Sequence, residues 1–439
     1  MRMHGDATKR TFGVCMLMAT LLFGAAVAKA DAVLDWNLIA VNTAVANGQN
    51  PFAQARSAAI VQLAVFEAVN AITGDYQPYL GSIVAPHGAS ADAAAIQAAY
   101  RVLSTYFLPS ASTLLTARAN SLALIPDGQA KIDGIATGDA AALAMIALRA
   151  NDGSLPAQFK TPGPAVPGEY QATPSCPMMN GIRVGTLFQW QNVTPFGIPN
   201  ASEFLLDPPP ALDSNQYAKT YNEVKTVGNA SANSTERPQD RANVVLFYAA
   251  SSPTQVFNQA AREVVAQDGG RSLSENARAF ALINMALSDG AVTTFFNKYR
   301  YNFWRPETAI HAGDTDDNRK TDPDPNWVPF IPAPCFPSYP SAHGTLSGAG
   351  AEVMRRLYGE AGHAITLSNP AVPAIVLYYG SFKQITDDIS DARVYGGIHF
   401  RTDQDAGARL GRAVGTAIYK NNLRAKHGND RHDDDRDDH

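Results

Sequence analysis

Three short stretches in the last third of the chain bring cations and histidines together at spacings suited to gripping an oxyanion. In Lys298-Tyr-Arg-Tyr-Asn-Phe-Trp-Arg305-Pro306, two cations lie nearly two helical turns apart, so both can face one side of a single element that Pro306 ends. Like charges beside Phe295, Phe303 and Trp304 are costly unless an anion sits between them, although a Lys and an Arg snorkelling from an apolar helix have the same pattern. In Phe336-Pro-Ser-Tyr-Pro340-Ser341-Ala342-His343-Gly344, Ser341 can cap a helix whose first N–H groups and positive dipole end suit an anion. His343, in the first turn, can pass a proton to whatever is held there. In Arg393-Val-Tyr-Gly396-Gly397-Ile-His399-Phe-Arg-Thr-Asp403, the four-residue spacing puts His399 and Asp403 on one helical face. The carboxylate then holds one ring N–H and leaves the other nitrogen as a nucleophile or metal ligand. Singly, the last two stretches read equally well as a capped helix with an incidental histidine and as a surface His–Asp pair. Together they supply a clamp of Lys298, Arg305 and Arg393, a ligating or attacking nitrogen on His399 and an acid–base on His343.

In this order, K-x6-R-P, P-S-x-H and R-x5-H-x3-D, the chain resembles the type 2 phosphatidic-acid phosphatase superfamily, which includes the vanadium-dependent haloperoxidases and class A bacterial acid phosphatases. The stretches Asn276–Asn284, Phe303–Pro306 and Phe336–Ser341 resemble the bacterial haloperoxidase branch. The resemblance implies an all-α helical bundle with long irregular loops and an anion held between facing helices. It implies vanadate as cofactor, its equatorial oxygens bound by Lys298, Arg305, Arg393, Ser341 and the backbone N–H of Ala342. His399 would be the axial vanadium ligand, Asp403 its orienting partner and His343 the general acid–base. Ala342 departs from the family, which has glycine there, and a β-carbon tightens the site. Phe295, Trp304 and Phe336 are candidates for a water-excluding wall.

The leading expectation is an enzyme that uses hydrogen peroxide to oxidise halide at vanadate, the metal acting as a Lewis acid. The alternative is an exported phosphomonoesterase, with phosphate in the same site and His399 as a phosphorylated nucleophile. A third reading is an oxyanion-binding protein without turnover, against which both His343 and Asp403 speak.

The elements that must position these residues are helical. Apolar residues recur at three- and four-residue spacing over Ala53–Asn70, and Ala91–Tyr106 and Ala130–Ala150 are alanine-rich. Helices are also expected over Ser214–Val227, Arg241–Ala250, Gln255–Ala266 and Ser274–Tyr299, the last capped by Ser274. Residues 151–215 are proline-rich and without period, which predicts an ordered excursion wrapping a single helical domain of residues 31–425, with the motifs in 274–420. Asp314-x-Asp316-x-Asn318 opens like a calcium loop and then fails, since Arg319 stands where glycine is needed and Pro325 where the bidentate Glu belongs. A solvated loop is expected there.

The chain has 439 residues, 46% hydrophobic and 17% charged, which is ample for a core. With 35 Lys+Arg against 40 Asp+Glu there is no global footprint for nucleic acid or an anionic membrane, so any anion attraction is local. Residues 1–30 read as a secretory signal peptide: Lys9-Arg10, an apolar run from Phe12 to Ala28, and Ala28-Lys29-Ala30 before Asp31. A retained anchor competes with that reading. Cleavage leaves 31 positive and 39 negative charges and a periplasmic or extracellular protein with no integral membrane association, since no other stretch reads as a span. Small molecules are its expected partners. Cys176 and Cys335 are then either a disulfide or two buried thiols. Residues 426–439, with six Asp and three His from His427 onward, predict a disordered tail.

Overall fold

The computed structural model describes residues 31–426. The expected leader and the tail from 427 onward lie outside the described residues; Lys426, at the edge, donates its backbone N–H to Asp75 O at 2.9 Å.

In chain order the elements are α1 (Ala32–Ala46), α2 (Pro51–Thr73), α3 (Ala91–Tyr106), α4 (Ala111–Ala123), α5 (Gln129–Arg149), the hairpin β1 (Met178–Met179) and β2 (Ile182–Arg183), α6 (Asn215–Val227), α7 (Gln239–Ala250), α8 (Pro253–Asp268), α9 (Leu273–Tyr301), α10 (Pro306–His311), α11 (Ala342–Tyr358), the hairpin β3 (Ala361–Ser368) and β4 (Val376–Ser381), α12 (Phe382–Tyr395) and α13 (Arg401–Asn421). The architecture is helical, with two small antiparallel hairpins as its sheet content among the described residues.

The helix ends follow local chemistry. Asn50 caps α2 with Pro51 in its first turn, and Gly74 closes it in the left-handed region at φ 77°. Ser252 with Gln255, and Ser272 with Glu275, form reciprocal capping boxes on α8 and α9. The cap of α9 is therefore Ser272; Ser274, expected in that role, lies inside the helix and is buried.

α9 is the central helix, buried along almost its whole length and packed antiparallel to α2, with Phe52 against Phe295 at one end and Thr73 beside Ser274 at the other. By length and composition α2 and α9 could each cross a membrane, contrary to the expectation that no further stretch would read so. Their most apolar windows are 83% and 94% buried inside the protein, so here those surfaces meet other helices.

α11 and α13 pack backbone to backbone. A β-carbon at Gly411 would collide with Thr345 O and lie 2.7 Å from Ala349 N, so only glycine permits this approach. That contact matters because Ser341 caps α11 and His399 immediately precedes Phe400, the cap of α13.

Residues 150–214 run over the body as an ordered strap, locally structured by β1–β2 and short 3-10 turns. Tyr170 N donates to Asn302 O at 2.7 Å, and Trp304 N to Gly168 O at 2.9 Å. The buried carboxylate of Asp289 on α9 accepts from the N–H groups of Phe196, Gly197 and Ile198 at 2.6, 2.7 and 3.0 Å. Cys176 and Cys335 form a disulfide, Cα–Cα 5.4 Å, which settles the open pairing and ties the strap to the segment before α11.

The Asp314–Asn318 segment is a turn around a buried Asp316, whose Oδ1 accepts from Asn318 N at 2.9 Å and Thr321 Oγ1 at 2.8 Å. Apart from Asp316 the segment is the solvated loop expected, with Asp314, Thr315, Asp317, Arg319 and Lys320 exposed. No group of three or more His, Cys, Asp or Glu among the described residues is arranged to hold a metal ion.

Candidate oxyanion site

Lys298 and Arg305 do meet, but not on one helix. α9 ends at Tyr301, Asn302 turns the chain in the left-handed region at φ 47°, and Arg305 is extended, capping α10 with Pro306 in its first turn. Pro306 therefore starts a helix where it was expected to end one. The turn sends Phe303 and Trp304 into a separate apolar cluster, Trp304 stacking on Tyr217 at 6.4 Å. Trp304 thus belongs to that cluster and not to a wall of the site.

Both cations are completely buried and are held by carbonyls of Phe336, Pro337 and Ser338, with Ile398 O as a further acceptor for Arg305. Lys298 Nζ donates to Pro337 O at 2.7 Å and Ser338 O at 2.8 Å; Arg305 Nε donates to Phe336 O at 2.9 Å and Nη1 to Ile398 O at 2.8 Å. The Phe336 ring lies over both, 5.1 Å from Lys298 Nζ and 5.0 Å from Arg305 Cζ, and Phe295 packs on it at 5.2 Å. These two of the three expected aromatics do screen the cations from water.

His399 precedes α13 and does not share a helical face with Asp403. Phe400 caps the helix, and Asp403 in its first turn reaches back, Oδ2 accepting from Phe400 N at 3.2 Å and from His399 Nδ1 at 2.9 Å. With Nδ1 protonated toward that carboxylate, His399 Nε2 is the lone-pair nitrogen, and Arg305 Nη1 donates to it at 3.0 Å. Ser338 Oγ donates to the same Asp403 oxygen at 2.6 Å.

Arg393 comes from the last turn of α12. Gly397, at φ 78° with a β-carbon that would strike Gly228 O, turns the chain sharply between Arg393 and His399. Arg393 Nη1 donates to Tyr248 O at 3.4 Å, and His343 faces the same backbone stretch. Tyr248 is itself tied down, its hydroxyl 2.8 Å from that of Tyr379, which donates to Asp388 Oδ2 at 2.8 Å. Ser341 caps α11, its Oγ accepting from Gly344 N at 3.2 Å, which leaves its hydroxyl proton free to donate outward. Ala342 is buried within the main apolar cluster, which accommodates the β-carbon that stands in place of the family glycine.

The site is thus an island of positive charge. Burial pushes Arg305 down to about 10 and Arg393 down to about 9, and drives Lys298 far below the usual lysine range with Arg305 adding to the effect. Burial, then the neighbouring cations, keep His343 and His399 well below an ordinary histidine, so both rings are neutral near pH 7. Asp403 is raised to about 6 by burial, against the Ser338 hydrogen bond and the nearby cations. Two buried donors, Arg305 Nη2 and Arg393 Nε, have no acceptor in the protein. A tetrahedral oxyanion has the charge and the acceptors that this donor set lacks.

Every residue named from the sequence as a site candidate, Lys298, Arg305, Ser341, Ala342, His343, Arg393, His399 and Asp403, lies on these converging segments. Sequence reasoning missed Ser338, although it sits inside the quoted Phe336–Ser341 stretch, and it missed Tyr248, whose contribution is a backbone carbonyl and leaves no mark on residue type.

Comparisons with known proteins bear on the fold. Residues 278–428 match the family described as the VCPO second helical-bundle domain. The vanadium chloroperoxidase of Curvularia inaequalis is 31% identical over 189 residues, covering 36% of this chain and 30% of that protein, so the match spans about a third of that relative. A bacterial vanadium-dependent iodoperoxidase superposes with a TM-score of 0.74 at 23% identity, covering 90% of this chain and 97% of the other. The fold is that of the vanadium haloperoxidases. A bacterial vanadium-dependent chloroperoxidase in its apo form gives a TM-score of 0.67 at 17% identity, covering 84% of this chain and 94% of its own. The haloperoxidase likeness extends over nearly the whole described chain, well beyond the segment that carries the three motifs.

Proposed function

We propose that this protein is a vanadium-dependent haloperoxidase that uses hydrogen peroxide to oxidise halide. The observation that carries the reading is the pair of acceptorless buried donors, Arg305 Nη2 and Arg393 Nε, beside Lys298 and the lone-pair nitrogen of His399. Lys298, Arg305, Arg393, the Ser341 hydroxyl and the Ala342 N–H would hold the oxygens of vanadate, and His399 Nε2 would ligate the metal. Bound vanadate supplies a Lewis acid that activates peroxide toward halide without a change in its own oxidation state. Asp403 holds the Nδ1 proton and fixes the imidazole tautomer. His343, kept neutral near pH 7 by burial and by Arg393, Lys298 and Arg305, can take a proton at the site and return it. Phe336 and Phe295 exclude water from the cations, which strengthens every charge interaction there.

Export is part of the proposal. The Cys176–Cys335 bond supports an oxidising compartment, in keeping with the leader-like residues 1–30.

The test is a paired assay on phosphate-free protein with and without added orthovanadate, following peroxide-dependent bromination of a dye and hydrolysis of an aryl phosphate. Bromination that depends on vanadate and is lost in His343→Ala is the expected result. Phosphate hydrolysis that vanadate abolishes, with no bromination, would overturn the reading in favour of a phosphohistidine enzyme using His399. Tight vanadate binding with neither activity would leave an oxyanion-binding protein.

A further inference from the structure

Five methionines fall among the described residues, and exposure divides them. Met145, Met285 and Met354 are fully buried, whereas Met178 and Met179, adjacent in β1, are 55% and 42% exposed. Cys176 and Cys335 are spent in the disulfide. Among the described residues, all accessible reduced sulfur therefore sits in one two-residue strand.

That strand is tethered through the disulfide to the segment that holds the cations. Cys176, two residues before Met178, is bonded to Cys335, and Cys335 adjoins Phe336, whose carbonyl holds Arg305 and whose ring covers Lys298. With consecutive Cα atoms 3.8 Å apart and a disulfide Cα–Cα distance of 5.4 Å, Met178 Cα lies within about 17 Å of Phe336 Cα. The hairpin is also held firmly, with Arg183 Nη1 donating to Cys176 O at 2.7 Å, Val184 N to Pro177 O at 3.1 Å and Ser175 Oγ to Ala333 O at 3.1 Å.

We propose that Met178 and Met179 form an oxidation site that captures hypohalous acid escaping from the cation site; this rests on the haloperoxidase reading above. The thioether sulfur attacks the halogen, the halogen–oxygen bond breaks, and water then displaces halide from sulfur. In balance, one thioether and one hypohalous acid give one sulfoxide, one halide and one proton, sulfur losing two electrons and the halogen gaining them. Oxidation makes the side chain polar, which would disrupt the core at Met145, Met285 or Met354 but costs little on an exposed hairpin. The pair thus protects the buried sulfur and the aromatic rings near the site by reacting first.

The test is peptide mass mapping of full-length protein after turnover with vanadate, bromide and peroxide, with dye bromination followed in the same tube. The expected result is a gain of about 16 Da at Met178 and at Met179 that requires bromide and precedes any change at Met145, Met285 or Met354. Bromination with Met178 and Met179 unmodified, or with buried and exposed methionines oxidised together, overturns the proposal. If the dye is not brominated, the haloperoxidase reading fails, and reagent hypobromous acid added to the same protein decides the site alone. Oxidation confined to the pair then supports it, and even oxidation of all five methionines overturns it. In the brominating enzyme, Met178→Leu combined with Met179→Leu should leave the initial rate unchanged and reduce the turnovers completed before half the activity is lost; equal turnover numbers also overturn the protective role.

Discussion

Ser338 Oγ donates to Asp403 Oδ2 at 2.6 Å, on the oxygen that also receives His399 Nδ1 at 2.9 Å. The backbone carbonyl of Ser338 meanwhile accepts from Lys298 Nζ at 2.8 Å, so one residue touches both Lys298 and the carboxylate that holds His399. Ser338→Ala should weaken vanadate binding about tenfold, the lower end of what loss of such an outer partner costs. Ser338→Thr, which keeps the hydroxyl, should restore most of it. Vanadate titration followed by equilibrium dialysis reads both; an unchanged affinity in Ser338→Ala would remove the residue from the site's support.

Arg393 is the least compensated cation, with a single protein hydrogen bond of 3.4 Å and an Nε without an acceptor. Replacing it by Met removes a buried charge at similar volume. The anion-free protein should then be unchanged or more stable by about 1 kcal/mol or more, while the stabilisation that vanadate or phosphate confers should largely disappear. Thermal unfolding with and without oxyanion measures both halves, and a variant that is destabilised but still gains fully from the oxyanion contradicts the assignment.

The buried histidines give the anion-free fold a pH dependence of definite sign. His343 is held far below its usual 6.5, chiefly by burial and then by Arg393, Lys298 and Arg305. Below about pH 6.5 the unfolded chain therefore takes up a proton that the folded protein refuses, so this histidine's contribution to stability falls as pH drops, against the opposite contribution of the buried Asp403 and Asp289 carboxyls, both raised to about 6. An oxyanion offsets the cations and should flatten that fall. Denaturant unfolding between about pH 7.5 and 5.5 should show His343→Gln reducing the slope by up to about 1.4 kcal/mol per pH unit. A slope insensitive to both the variant and the oxyanion would count against a neutral His343.

Gly411 tests the scaffold. A β-carbon there meets Thr345 O and Ala349 N, forcing α13 away from α11 and thereby moving His399 and Asp403 relative to Ser341 and His343. Gly411→Ala should cost about 1–3 kcal/mol in stability and should weaken vanadate binding as well, although residue 411 touches no part of the site. Gly359→Ala, where a β-carbon meets no neighbour but φ is 82°, should cost stability through backbone strain alone and leave vanadate affinity intact.

Much of the architecture is written in the sequence because helix periodicity and capping are local. Ala91–Tyr106 matches its expected bounds, and α2, α5, α6, α7 and α8 lie within a few residues of theirs. Residue types and their order also singled out Lys298, Arg305, Ser341, His343, Arg393, His399 and Asp403, since buried cations and paired histidines are rare enough in a core to stand out by identity.

Geometry between segments was another matter. Spacing suggested one helix bearing both Lys298 and Arg305, and one helical face bearing both His399 and Asp403, whereas each pair spans a helix boundary. The left-handed turn at Asn302 and the extended backbone at Arg305 are set by where Phe303 and Trp304 find their cluster, which depends on Tyr217 and Phe400, far away in the chain. The carbonyls of Phe336, Pro337, Ser338, Ile398 and Tyr248 that aim the cations have no residue-type signature at all. Residue identity determined which charges the fold would have to bury. Only tertiary packing, through the glycine contact of α11 with α13 and the strap tied by Cys176–Cys335, decided where backbone oxygens would stand to hold those charges around one point.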